Sequence, residues 1–163
     1  MTENKGRYLA EKYQKQIDGE SLGRFGAKLK QADDRVFDPM QSVSLKSIPV
    51  TILLSFFLGF FSAGRFYIGD KKFAGKKFSG ICAILVFGGF CASMQETLAI
   101  FSILYALSFV TVGIWNLVDI YFTVRAAKRF NGAYLIGRLD TLMKESAQAG
   151  IVQAEAAQTR EGV

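Results

Sequence analysis

The chain has 163 residues, with twenty Lys and Arg against fourteen Asp and Glu, a formal charge of +6, and half of its residues apolar. It contains no histidine, which removes the commonest general base, zinc ligand and pH switch. No Gly-x-Ser-x-Gly, P-loop or His-Glu-x-x-His pattern replaces it, so no enzyme, metal site, cofactor or nucleic-acid partner is expected.

Charge and apolarity are segregated. Residues 1–47 and 125–163 hold most of the charge, whereas 48–63, 81–94 and 98–124 hold almost none. A soluble domain would give each helix a wet face, but these segments are apolar all round, as suits a bilayer.

The chain opens on Met1-Thr-Glu-Asn-Lys with no apolar stretch behind it, so no cleavable signal is expected and the first apolar segment is read as the insertion signal. Leu9, Tyr13 and Ile17, then Leu22, Phe25 and Leu29, recur at helical spacing. They predict two short amphipathic helices divided near Gly19-Glu20-Ser21, with Ser21 as the N-cap. Interleaved Lys and Arg suit a lipid surface or a partner, with a solvated, loosely ordered tail as the alternative.

Phe37-Asp38-Pro39 is expected to break this region. Ser47-Ile48-Pro49 then opens the first apolar segment, 48–63, with a capping Ser and a Pro in the first turn. Its sixteen residues span roughly 24 Å as a helix, short against a hydrocarbon core of about 30 Å. The connector 64–77 carries Arg65, Lys71, Lys72, Lys76 and Lys77 against Asp70. A second short apolar segment, Phe78 to Met94, is rich in small residues; Gly88 with Ala92 and Gly89 with Ser93 have the spacing that lets helices approach closely in lipid. Its two cysteines, Cys82 and Cys91, stand nine residues apart, on opposite helix faces. They read as small packing residues, with a link between protomers or an acylation site as alternatives.

After the polar tip Gln95–Thr97 comes the strongest membrane segment, Leu98 to Val124, with Trp115 and Tyr121 near its end and Arg125, Lys128 and Arg129 directly behind. Beyond Asn131, Leu135, Ile136, Leu139, Leu142 and Met143 form one helical stripe before an Ala- and Gln-rich continuation.

With three spans, the connector and the C-terminal region share one face, and the N-terminal region shares the other with the polar tip. Nine bases near the spans, from Arg65 to Arg138, favour the first face, against Arg35 and Lys46 on the second. The positive-inside rule then puts connector and C terminus in the cytoplasm. A re-entrant course for either short segment would place the N terminus there as well.

The run Phe57-Leu-Gly-Phe-Phe-Ser-Ala-Gly-Arg-Phe-Tyr-Ile-Gly69, Gly75 six residues on, and Gly113-Ile-Trp-Asn-Leu-Val-Asp-Ile120 resemble the TM-two (TM2) domain family of small integral membrane proteins. The likeness covers about residues 46–133. It implies membrane residence and helical packing without a reaction, and it marks Arg65, Phe66, Tyr67, Gly69, Gly75, Trp115 and Asp119 as motif residues. Two departures stand out: Gly64 occupies the place of the family's His or Asp, and the stretch between the motifs is long enough to form a third apolar segment.

The expected fold is therefore all-α, a membrane helical bundle of two to three apolar helices with amphipathic helical tails. Its parts are an N-terminal tail at 1–47, a membrane domain at 48–133 and a C-terminal helix at 134–163. Asp119 is the one acid inside an apolar segment, and such a group marks a functional candidate. At equal depth on one side, Arg65 and Asp119 are expected to pair. Gly69 is expected in a positive-φ turn, and Phe66 and Tyr67 at the interface. Lys71, Lys72, Lys76 and Lys77 are expected to face lipid headgroups. The function this implies is that of a multi-pass protein of a plasma or bacterial inner membrane, acting through helix packing with itself or a membrane protein partner. A pore using Asp119 and a lipid-organising factor are the alternatives.

Overall fold

The computed structural model describes residues 1–94 and 99–161, with side chains at 1–94 and 100–153; the polar tip at Gln95–Thr97 and the end of the Ala- and Gln-rich tail lie outside these. Among the described residues there are helices and no strand: α1 (Glu3–Tyr13), α2 (Gly19–Leu29), α3 (Phe37–Gln41), α4 (Ile48–Phe57), α5 (Ala63–Ile68), α6 (Lys71–Met94) and α7 (Ala99–Glu161). They form two compact units, one of residues 1–46 with 128–163 and one of residues 47–127, so α7 contributes to both.

In the first unit the amphipathic stripes of the N-terminal segment find their partner in the C-terminal one. Leu9, Tyr13, Ile17, Phe25 and Leu29 share a single buried core with Val36, Met40, Leu135, Leu139 and Leu142. These residues are part of a folded body, which corrects the expectation of separate tails. The N-cap of α2 is Asp18, not Ser21: the Asp18 backbone is extended, and its carboxylate accepts from the Ser21 N–H at 3.2 Å and hydroxyl at 2.8 Å. Those bonds outweigh the cost of burial and hold its carboxyl below the usual range. Pro39 lies inside α3 instead of breaking the chain, in the first turn where its missing N–H costs little. Tyr13 donates its hydroxyl to the Met40 carbonyl at 2.7 Å, and Lys28 meets Asp140 at 2.6 Å. Asn131 is fully buried and clamps the chain just before the second unit, accepting from Lys46 N–H and donating to the carbonyls of Lys46 and Gln16.

In the second unit the first apolar segment is not one helix. Ser47 caps α4 and Pro49 occupies its first turn, but the helix stops after ten residues at Phe57, about 15 Å of rise and too short to cross a bilayer. Leu58 leaves the helical region, Gly59–Phe61 makes one 3-10 turn, and Ser62 adopts a left-handed conformation with φ 55°. The chain folds back and α5 packs on α4. That reversal needs Gly64: a Cβ there would stand 1.9 Å from Ser55 Oγ and 3.2 Å from the Thr51 carbonyl. Gly69, with φ 94°, ends α5 as expected.

The connector is largely helical, since α6 begins at Lys71 and runs 24 residues without a break. It lies antiparallel to the first part of α7: Gly88 faces Ser108 and Lys77 meets Asp119, eleven residues further on in opposite directions. Among the described residues two helices, α6 and α7 from Ile100, are long and apolar enough to cross a membrane, while the first apolar segment supplies only the ten-residue α4.

Candidate functional site

The site grows out of that antiparallel pair and the short α5 beside it. Arg65 stands in the last turn of α5. Its Nη2 donates to Asp119 Oδ1 at 2.9 Å and its Nε to the same oxygen at 3.3 Å. Nη1 reaches Asp70 Oδ2 at 3.2 Å, and the guanidinium carbon lies 4.2 Å from the centre of the Phe73 ring. The other Asp119 oxygen accepts from Lys77 Nζ at 2.8 Å and from the Thr123 hydroxyl, one turn on, at 3.3 Å. Arg65, Lys77 and Asp119 are each only 5% exposed.

Two cations thus meet two carboxylates, and the central acid has both oxygens engaged. Removing charges from water is costly, and close geometry with full hydrogen bonding is what offsets that cost. One carboxylate on α7 ties together a residue of α5 and a residue of α6. Among the described residues no group of three or more His, Cys, Asp or Glu is placed to hold a metal.

Arg65 and Asp119, drawn from the two separate motifs, meet directly. Trp115, one turn before Asp119 on α7, is half exposed, as is Phe66. The Tyr67 hydroxyl accepts from the Ser47 N–H at 3.1 Å, so it holds α5 against the start of α4 rather than serving only as an interfacial anchor. Gly75 looks onto open space. Lys71, Lys72 and Lys76 are exposed. Lys77 is not, and its expected place among the headgroup-facing lysines is corrected: it lies on the face of α6 that also buries Ala74, Ile81, Gly88 and Cys91. Those positions recur at steps of three, four and seven. The signal was present for a helix beginning at Lys71 and invisible for one beginning at Phe78.

Polar burial extends around the cluster. Ser55 Oγ, Ser62 Oγ and Asn116 Oδ1 are buried without a hydrogen-bond partner among the described residues. Two of them face glycines: Ser55 Oγ lies where a Gly64 Cβ would be, and Asn116 Oδ1 is 3.1 Å from the place of a Gly59 Cβ. Each therefore looks at a Cα–H, a weak donor recurrent where helices touch.

No protein-family model, curated protein or solved structure matches this chain.

Proposed function

We propose that the chain is a non-catalytic, two-span integral membrane protein that works by association, with its N- and C-terminal segments forming one domain on the cytoplasmic side. The observation that carries this is an inversion of burial between the two units. Residues 1–46 with 128–153 bury Leu, Tyr and Phe and expose charge, as in water. Residues 47–127 bury Thr51, Ser55, Ser62, Arg65, Lys77, Asp119 and Thr123 beside a few apolar side chains such as Ile68, Ile81 and Val112, while Val86, at 73% exposure, Phe57, at 71%, Phe90 and Leu117 face outward. Polar groups turned inward and apolar ones outward are what a lipid solvent selects.

Because the terminal segments share one core, they belong on the same side of any membrane the chain crosses. An even number of crossings follows, and α6 with the first part of α7 supplies two. Arg65, Lys71, Lys72, Lys76 and Arg125 then favour the cytoplasm for that side. The resemblance to the TM-two family supports the same reading, since its two motifs meet in the Arg65–Asp119 pair. In this reading Asp119 is a lock. A pore has less support, because an acid held by Arg65, Lys77 and Thr123 has no oxygen left for a passing ion or proton.

The reading is tested by alkaline carbonate extraction of membranes, followed by sizing of the detergent-solubilised full chain. Retention in the membrane and a mass above one copy, or a co-purifying membrane protein, is the expected result. Release by carbonate would remove the membrane part, and a lone monomer with no neighbour captured by cross-linking in intact cells would remove the association.

A further inference from the structure

We infer that the α6–α7 pair carries a binding site for an anionic two-chain phospholipid, with the headgroup phosphate at Lys76 and the acyl chains in two grooves beside Trp115. The inference rests on the membrane reading above and adds to it a ligand class and a place.

The first groove, about 310 Å³, runs along α6 from Phe73 past Lys76, Gly80 and Ile84, and is closed by Val112 and Trp115 of α7. The eleven helical steps from Phe73 to Ile84 give it a length of roughly 16 Å. The space over position 80 is open: a Cβ there would meet nothing within 4 Å. The second groove, about 460 Å³, is mostly apolar, walled by Ile114, Val118 and Phe122 with Thr111 and the paired Arg65 and Asp119 also in its lining, and shares Phe73 and Trp115 with the first. Both volumes fall in the range of about 300–1,000 Å³ usual for small-molecule sites. Two apolar slots meeting at one pair of rings match two chains joined at one headgroup.

Charge selects the headgroup. Lys77 lines the first groove but is spent on Asp119. Lys76 beside it, and Lys72 one turn earlier, are exposed and make no ion pair with any described residue. Two unspent cations at the basic end of an apolar groove complement a phosphate that carries net negative charge, and gain little from a zwitterion.

Trp115 is the chain's only tryptophan and lines both grooves, so its fluorescence reports occupancy. The full chain is reconstituted in phosphatidylcholine vesicles containing, at equal mole fraction, phosphatidylglycerol or phosphatidylcholine with brominated chains, whose bromines quench indole on contact. Brominated phosphatidylglycerol should quench Trp115 more strongly. Gly80→Leu, whose Cβ meets nothing within 4 Å and whose larger side chain takes up groove space, should abolish the excess while helix content by circular dichroism stays unchanged. Lys76→Gln should lower the preference about fivefold, the effect of one basic residue near a membrane surface. Equal quenching by the two lipids in the native chain, or an excess that survives Gly80→Leu, overturns the site and leaves the membrane reading standing. No quenching by either lipid would overturn both.

Discussion

Replacing Asp119 with Asn should damage the second unit more than any other single change in the charge cluster. The carboxylate is the sole described partner of Lys77 Nζ and takes two of the bonds from Arg65. Its neutralisation leaves Lys77 buried and unpaired, while Arg65 keeps Asp70 at 3.2 Å and the Phe73 ring. Breaking a buried pair by removing one partner costs about 3–5 kcal/mol, and Asp119→Asn belongs at the upper end because two cations lose it at once. Lys77→Met should cost less, about 1–2 kcal/mol, since Asp119 retains Arg65 and Thr123 and the thioether side chain fills the space. In the double variant no cation is stranded at position 77, so its cost should fall below the sum of the singles by about 1–3 kcal/mol. Unfolding in mixed micelles titrated with dodecyl sulfate, followed by circular dichroism, measures all three. Additive costs, within about 0.5 kcal/mol, or a Lys77→Met variant as damaged as Asp119→Asn, would refute the lock.

Gly64→Ala should destabilise the same unit by about 1–3 kcal/mol, since the new methyl meets Ser55 and the Thr51 carbonyl, whereas Gly75→Ala in the open middle of a helical turn should be neutral or stabilise by up to about 1 kcal/mol; the same titration separates them. Asn131→Leu should cost the first unit at least about 2 kcal/mol by stripping partners from Lys46 and Gln16, visible as lost amide-exchange protection around those residues. Hydrogen bonds from the Thr2 hydroxyl and N–H, with Lys5 beside them, hold Asp34 down from 3.8 to about 2. The stability this carboxylate contributes is full above its unfolded value and is lost as pH falls towards 2. Asp34→Asn should therefore flatten the acid limb of that unit's melting temperature between pH 4 and 2.

Local periodicity made parts of the fold legible. The i+4 spacing of Leu9, Tyr13 and Ile17 and the stripe at Leu135, Leu139 and Leu142 identify helices with one apolar face. Neither stripe states what covers it, so the pairing of the chain's two ends into one core, on which the proposed number of crossings rests, was hidden. The first apolar segment misled for a different reason. Composition marks 48–63 as apolar, but the reversal depends on Ser62 in a left-handed conformation and on close contacts at Gly59 and Gly64, none of which leaves a hydropathy signature. At the charge cluster, a lone acid in an apolar run pointed to Asp119, and equal depth pointed to Arg65. Lys77 was read by its charge and its neighbours, which place it with Lys76 at the surface; only its position on the helical face with Ala74 and Ile81 distinguishes it.

The central claim is that both ends of the chain lie on one side of a membrane crossed twice. In a background with Cys82→Ala and Cys91→Ala, single reporters Glu11→Cys, Gln148→Cys and Glu96→Cys can be exposed in intact cells to a thiol reagent that does not cross membranes. The account predicts that positions 11 and 148 stay unlabelled until the cells are permeabilised, while 96 labels from outside. Labelling of 11 from outside with 148 protected would contradict it, because segments on opposite faces of a bilayer cannot share the core of Leu9, Tyr13, Leu135 and Leu139.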